Sequence, residues 1–249
     1  MAKSLIAGNW KMHGNAASAA SLATELAEHW TDQNSVEMIV FPPFVHLTQV
    51  SVAVGHSGVA VGGQNLCQFE SGAYTGEISA VMLADLGCQY VLVGHSERRA
   101  LFGETDQAVA EKFKAAQQAG LVPVLCVGES LQQRQQQQTL EIVARQISAV
   151  IESVALEGLC RAVIAYEPVW AIGTGETASP EQAQEVHGAI RAQLGDLGRE
   201  TTLLYGGSVN PGNAAALFAQ PDINGGLVGG ASLEADDFLN IAQQLIEQE

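Results

Sequence analysis

The chain has 249 residues, 47% of them hydrophobic and 15% charged. This length suits one α/β barrel of about 250 residues, and the apolar content excludes a disordered or fibrous chain. The formal net charge is −16, and the 11 Lys and Arg residues form no cluster, so we predict no nucleic-acid partner and no membrane partner. An anion site would therefore need backbone N–H groups and one or two local cations.

No apolar run approaches the ~20 residues that span a bilayer, and residues 1–8 are too short for a signal sequence. We therefore expect a cytoplasmic protein. The cysteines have no CxxC spacing and lie in apolar surroundings, which indicates free thiols in a reducing compartment. The histidines form no HExxH or comparable ligand pattern, so we predict no metal site.

Eight short apolar runs recur along the chain and predict buried strands. They cover residues 5–7, 38–41, 59–61, 90–93, 122–127, 162–166, 202–205 and 226–228. Most of the intervals between them have helical spacing or a helix-capping residue. The predicted helices cover residues 15–30, 96–102, 105–119, 139–154, 180–194, 213–218 and 233–246.

Strands that alternate with helices indicate parallel pairing, because a parallel pair needs a crossover of helix length. Eight such units predict a closed (β/α)8 barrel, with residues 1–249 forming a single catalytic domain. An open doubly wound sheet, which uses five or six units, ranks second. The glutamine-rich segment 132–138 is interpreted as a solvated entry to the following helix and not as a functional tract.

The sixth predicted strand ends at Glu167, which Pro168 follows. Proline excludes helix at the preceding residue and has no N–H for a ladder, so the carboxylate must lie at the rim of the sheet. Segment 169–178, which includes Gly173, has the composition of a mobile lid. Under a lid, desolvation can make Glu167 an effective base near neutral pH. The alternative is a solvated rim carboxylate.

Segment 173–178 also fits the dinucleotide pattern G-x-G-x-x-G/A. In that motif the first glycine follows its strand at once, whereas here residues 167–172 intervene. We therefore do not favour nucleotide binding.

Polar residues follow other predicted strands, at the barrel end where active sites lie. Asn9 and Lys11 follow the first strand, and Lys11 is the best candidate cation for an anionic ligand. His95 follows the fourth strand, directly before Ser96, a predicted N-cap. The positive end of the helix would disfavour imidazolium, so a neutral ring could donate a hydrogen bond to a carbonyl. A solvated lysine and a packed histidine are the alternatives.

Glycine-rich turns follow the seventh and eighth strands, where barrels frequently bind phosphate. They contain Ser208 in the first turn and Gly229 and Gly230 in the second. Glycine permits the close backbone approach that a phosphate cradle requires. The joint placement of the two turns is what favours a phosphate site.

Five motifs together resemble the triosephosphate isomerase family over essentially the whole chain. They are GNWK at 8–11, GHSERR at 94–99, AYEPVW at 165–170, YGGSV at 205–209 and GGAS at 229–232. The resemblance implies a homodimer that interconverts dihydroxyacetone phosphate and D-glyceraldehyde 3-phosphate through an enediolate, in glycolysis and gluconeogenesis, without metal or cofactor.

The same resemblance implies a role for each matching residue. Glu167 would be the base and His95 the electrophile, with Asn9 beside it. Lys11 would offset the added negative charge. The backbone N–H groups of the phosphate site would come from Gly173, Ser208, Gly229 and Gly230.

Segment 72–77 resembles the loop that, in this family, reaches the neighbouring subunit near Lys11 and His95. The chain departs from the family pattern at Glu176, where lysine is common, and at Tyr90, where tryptophan is common. Two other functions remain open at this point: a different phosphate-sugar barrel enzyme, and a non-catalytic phosphate-binding barrel.

Overall fold

The computed structural model describes residues 2–30, 35–55, 57–172 and 177–248, and eight of its segments form one sheet. The strands are β1 Leu5–Asn9, β2 Glu37–Phe41, β3 Val59–Gly63, β4 Tyr90–Val93, β5 Val122–Val127, β6 Val163–Tyr166, β7 Thr202–Tyr205 and β8 Gly225–Val228. Each strand pairs in parallel with its neighbour in the chain, and β8 pairs with β1, so the sheet closes into a barrel. The predicted (β/α)8 barrel is confirmed.

Helices surround the barrel. Those of the described ranges are α1 Ala16–His29, α2 Leu47–Val54, α3 Ala80–Asp85, α4 Ser96–Phe102, α5 Asp106–Gln118, α6 Leu131–Gln135, α7 Thr139–Leu159, α8 Pro180–Leu194, α9 Ala214–Phe218 and α10 Ala235–Ile246. Short 3-10 turns occupy Phe44–His46, Val169–Ala171, Gly195–Glu200 and Gly230–Leu233. None of these helices has both the length and the apolar character needed to cross a bilayer.

The barrel separates two apolar cores, because successive side chains of a strand point to opposite faces of the sheet. In β1, Leu5 and Ala7 belong to the core inside the barrel, whereas Ile6 packs in the layer between strands and helices. The residues of the inner core are Leu5, Ala7, Ile39, Phe41, Ala60, Tyr90, Leu92, Val124, Cys126, Val163, Ala165, Leu204 and Leu227. The interior is therefore filled with side chains, and open space is left at the carboxyl ends of the strands.

The helix boundaries follow the capping residues. Asn15, Thr105 and Ser179 accept hydrogen bonds from the first turns of α1, α5 and α8. The short helices α2 and α3 escaped prediction because exposed apolar residues obscure their buried stripes. Val52 in α2 and Met82 in α3 are both more than half exposed.

Segment 132–138 leads to the long helix α7, which begins at Thr139 as predicted, but the first part of the segment belongs to a separate short helix that was not predicted. Ser130 and Gln133 form a capping box for the separate short helix α6. Gln137 then adopts a left-handed conformation, with φ of 59°, which breaks the helical path. The long helix α7 begins only after this turn, at Thr139.

Candidate active site

A cavity of about 390 Å³ lies at the carboxyl ends of the strands. The predicted site residues that line it are Asn9, Lys11, His95, Glu167, Ser208, Gly229 and Gly230. They come from the end of β1 and from the loops after β1, β4, β6, β7 and β8, so closure of the barrel brings together positions that are far apart in the chain. Gly173, and Glu176 of the predicted lid, lie outside the described residues.

Glu167 directly follows β6, and its side chain is almost completely buried. Its backbone N–H donates to the carbonyl of Val127 at 2.7 Å, which fixes the end of the strand against β5. One carboxylate oxygen, Oε2, accepts a hydrogen bond from the backbone N–H of Ser96 at 2.8 Å. The other, Oε1, lies 2.9 Å from His95 Nε2. Both oxygens are therefore held at the first turn of α4.

These contacts set the protonation of the carboxyl group. Burial raises the pKa of Glu167, but His95 and the Ser96 N–H outweigh burial and hold that pKa below its ordinary value. Desolvation does not dominate in this arrangement, because the carboxylate has two donors inside the protein. The desolvation expected under a lid involves residues 173–176, which lie outside the described residues.

His95 itself is the N-cap of α4, and the prediction of Ser96 as the cap is wrong by one residue. The ring Nδ1 accepts a hydrogen bond from the Glu97 N–H at 3.3 Å, so it does the work of the usual Asn or Ser side-chain oxygen. An accepting Nδ1 assigns the proton of the neutral ring to Nε2, which faces Glu167.

The expectation that the helix terminus would keep the pKa of His95 low is also wrong. Burial lowers the pKa of the imidazole, but the carboxylates of Glu167 and Glu97 together raise it more, and the net pKa is above its ordinary value. A full negative charge in direct contact outweighs the partial charge of a short helix.

Lys11 adopts a left-handed backbone conformation, with φ of 51°, which costs a residue with a side chain about 1–2 kcal/mol. Two side chains fix this backbone. Asn9 Oδ1 accepts from the Lys11 N–H at 3.0 Å, and Gln64 Nε2 donates to the Lys11 carbonyl at 2.7 Å. Lys11 Nζ then contacts Glu97 Oε1 at 2.5 Å at the rim of the cavity.

Within the motif at residues 94–99, the sequence alone makes Glu97 an ion-pair partner for Lys11 or for one of the two following arginines, and it predicts structural roles for these arginines. The structure pairs it with Lys11. Arg98 contacts Glu104 at 2.6 Å, and Arg99 contacts Asp106 at 2.7 Å. Both arginines therefore have structural partners, as expected.

The turns after β7 and β8 form the opposite wall of the cavity. A Cβ on Gly206 would lie 2.9 Å from Glu167 Cγ, so glycine is needed for the carboxylate to occupy its position. A Cβ on Gly230 would meet no atom within 4 Å, which shows that this backbone borders open space. Ser232 Oγ donates to the Gly229 carbonyl at 2.7 Å and fixes the second turn.

Several site residues were missed by the sequence reasoning. His13, Ile172 and Leu227 also line the cavity. Ser96 acts through its backbone N–H, which no side-chain pattern reveals. Glu97 belongs to the motif at residues 94–99, but the sequence does not decide that it pairs with Lys11 and not with a neighbouring arginine.

Glu129, another residue that the sequence reasoning missed, is buried in the loop after β5, next to the beginning of the predicted lid. It accepts hydrogen bonds from Trp170 Nε1 at 2.9 Å and from the Tyr166 hydroxyl at 3.1 Å. The guanidinium of Arg134 lies 4.6 Å from the centre of the Trp170 ring. These contacts anchor residue 170 to the loop after β5.

Comparisons with known proteins agree with the motifs and the fold. The family model described as triosephosphate isomerase matches residues 4–245. Proteins named triosephosphate isomerase include one from Dechloromonas aromatica (55% identical, covering 98% of this chain and 99% of that protein) and one from Thiobacillus denitrificans (54%, 98% of both). One from Bordetella pertussis is 55% identical over 96% of both chains. The chain belongs to the triosephosphate isomerase family.

Proposed function

We propose that this chain catalyses the reversible interconversion of dihydroxyacetone phosphate and D-glyceraldehyde 3-phosphate. The observation that carries the proposal is the contact of a buried carboxylate with an imidazole, Glu167 with His95, in the cavity that also contains Lys11. Moving a carbonyl by one carbon needs a base for the α-proton and a donor for the oxygen that becomes negative. These two residues supply both groups.

The proton transfers balance with these residues alone. Glu167 takes a proton from the carbon next to the carbonyl, and the electrons of the C–H bond form the enediolate. His95 Nε2–H donates to the enediolate oxygens and moves a proton between them. Glu167 then returns its proton to the neighbouring carbon. Each carboxylate oxygen already has one partner, Ser96 or His95, and we propose that the side chain leaves at least one of them when it turns to a substrate carbon.

The phosphate is proposed to lie on the other side of the cavity. Lys11 supplies the local cation that a chain with net charge −16 requires, and backbone N–H groups of Ser208, Gly229 and Gly230 supply donors. The open space beside Gly230 supports this assignment. Gly173 is proposed as a further donor, and Asn9 as a donor to the substrate beside His95.

We also propose that segment 169–178 acts as a lid that excludes water from the enediolate, which would otherwise eliminate phosphate. The anchoring of Trp170 by Glu129 supports a fixed leading end for this segment. The departure from the family at Glu176 concerns the trailing end of the lid and leaves the proposed chemistry unchanged.

A homodimer is proposed from the apolar surface beside the site. Met12, Leu101 and Phe102 are 94%, 75% and 68% exposed, and they line a second cavity of about 400 Å³ that Lys11 also borders. Segment 72–77 is the proposed occupant from a second copy. Phe102→Glu should then give protomers of 26.1 kDa with reduced activity, whereas Leu131→Glu, at an exposed apolar residue elsewhere, should not. Sedimentation of the wild-type chain as protomers would exclude the dimer.

The remaining features of the proposal are a single catalytic domain over residues 1–249, a cytoplasmic location, and catalysis without metal or cofactor. The cysteines are free thiols, which supports a reducing compartment. Within the described ranges no three His, Cys, Asp or Glu side chains are grouped to hold a metal ion. Activity should therefore persist in EDTA, and a loss that zinc or magnesium restores would contradict this part of the proposal.

The direct test is a coupled assay that starts from D-glyceraldehyde 3-phosphate and detects dihydroxyacetone phosphate. Formation of dihydroxyacetone phosphate by the wild-type chain, and its loss in Glu167→Gln, is the expected result. A phosphate-sugar enzyme of another kind would bind or convert the substrate without forming this product. A binding protein would hold the substrate without exchanging its hydrogen with solvent.

A further inference from the structure

Arg99 lies in the first turns of α4, and its guanidinium joins three elements behind the active site. Nε donates to the Gly94 carbonyl at 2.8 Å, and Nη2 donates to the Cys126 carbonyl near the end of β5 at 3.2 Å. Nη1 donates to Asp106 Oδ1, at the beginning of α5, at 2.7 Å. The side chain is 15% exposed, so these contacts form in a largely dry environment.

The Gly94 carbonyl belongs to the peptide unit that carries the backbone N–H of His95. Gly94 has φ of 72°, and a Cβ there would lie 3.0 Å from Arg99 Nη2. The guanidinium therefore closely covers this peptide and fixes its plane. Because His95 is the N-cap of α4, the same plane sets where its ring points and where the Ser96 N–H meets Glu167.

We propose that Arg99 is a positioning residue for the reaction: by holding the Gly94 peptide against β5 and α5, it keeps His95 Nδ1 on the Glu97 N–H and Nε2 toward the substrate. This inference rests on the proposed function. Arg99 does not line the substrate cavity, so it acts through His95 and not on the substrate.

The geometry requires arginine. The three acceptors come from three different elements, and a guanidinium presents several N–H groups in one rigid plane. A lysine ammonium keeps the charge beside Asp106 but is a compact point charge on a flexible stem. Arg99→Lys therefore separates the charge of Arg99 from its three-way hydrogen bonding.

A matched control exists in the same cluster. Arg145 Nε contacts the other oxygen of Asp106, Oδ2, at 3.0 Å, and its side chain is 59% exposed. Arg145 contacts Asp106, whereas the Gly94 carbonyl accepts its hydrogen bond from Arg99. Arg145→Gln thus removes a cation from Asp106 and leaves the support of His95 in place.

The test measures kcat and KM together with the 15N NMR signals of the His95 ring. We expect Arg99→Lys to lower kcat by about 10- to 100-fold, since a displacement approaching 1 Å has effects of this size. KM should change by less than about threefold, because no substrate contact is lost. The His95 signals should change from one tautomer, protonated on Nε2, to a mixture. Arg145→Gln should match the wild type in all three measurements.

The proposal is overturned if kcat of Arg99→Lys equals that of Arg145→Gln, or if kcat falls while the His95 signals stay unchanged. If Arg99→Lys does not fold, Arg99→Gln decides by the same criteria, because it also removes the guanidinium that joins Gly94, Cys126 and Asp106. If the wild-type chain has no isomerase activity, the proposed function fails, whereas the NMR comparison still tests whether Arg99 positions the ring.

Discussion

Glu167 Oε1 lies 2.9 Å from His95 Nε2, so the proposed base and the proposed electrophile contact each other directly. The contact raises the pKa of His95 and lowers that of Glu167, which stabilises the charged form of each. A substrate carbonyl placed at Nε2 would take the place of the carboxylate and release it toward the neighbouring carbon. The pair therefore links substrate binding to the freeing of the base.

Glu167→Asp tests the reach of the base. Removing one methylene moves the carboxylate by about 1 Å, and we expect kcat to fall by about 100-fold while the circular dichroism spectrum is unchanged. Glu181→Asp, in the exposed first turn of α8, is the matched control and should retain full activity. Wild-type turnover by Glu167→Asp would exclude Glu167 as the base.

His95→Asn separates the two roles of this residue. Asparagine is a strong N-cap and can replace Nδ1 at the Glu97 N–H, but it leaves no donor where Nε2 was. We expect a loss in kcat of about 100- to 1000-fold, the size found when one such donor is removed. Both His95→Asn and His95→Ala lose the contact with Glu167, but His95→Asn keeps the cap and should therefore be more stable than His95→Ala by about 0.5–2 kcal/mol in urea unfolding. Activity near wild type in His95→Asn would exclude the proposed donor.

The contact between Glu167 and His95 also predicts a dependence of stability on pH. The pKa of Glu167 is lowered on folding, so its contribution is present above the unfolded value of about 4.3 and is lost as pH falls through the folded pKa. The pKa of His95 is raised, so its contribution is present below about pH 6.5 and is lost as pH rises through the folded pKa.

The measurement compares the free energy of unfolding of the wild type and Glu167→Gln at about pH 5.5 and about pH 9, at one protomer concentration. The wild type should lose stability relative to the variant as pH rises, because only the wild type has a carboxylate for imidazolium. A difference that stays constant or changes in the opposite direction would show that the pair is not coupled.

Gly230→Ala tests the phosphate side of the cavity. The added methyl group meets no protein atom within 4 Å, so unfolding should change by less than about 0.5 kcal/mol. The methyl group would occupy space proposed for the phosphate, so we expect KM to rise by about tenfold or more. A tenfold rise corresponds to a loss of about 1.4 kcal/mol in the free energy of substrate binding. An unchanged KM would show that the phosphate does not bind at this turn.

The strands and the rim of the barrel could be predicted because they depend on local patterns. Apolar runs marked all eight strands, and Pro168 fixed the position of Glu167 at a strand end. The contacts that tune the site could not be predicted in the same way. Glu167 accepts from Ser96, 71 residues away, and Gln64 supports the Lys11 carbonyl from 53 residues away. Only the closed barrel decides which of these groups meet.

The errors at His95 have the same origin. A helix beginning near residue 96 was correctly expected, but the cap was assigned to the residue type with the stronger preference. Its pKa was argued from the helix alone, whereas the carboxylate that raises the pKa belongs to another strand end. Local sequence propensity therefore predicted the position of the helix, whereas a tertiary contact determines the pKa of His95.

The most direct test of the central claim follows D-glyceraldehyde 3-phosphate in D2O by proton NMR with catalytic amounts of the chain. We predict formation of dihydroxyacetone phosphate that carries deuterium on the carbon to which the base returns its proton, and loss of both product and exchange in Glu167→Gln. The account would be contradicted if Glu167→Gln formed the product and exchanged hydrogen at the wild-type rate. It would also be contradicted if the wild-type chain left the substrate unconverted and unlabelled.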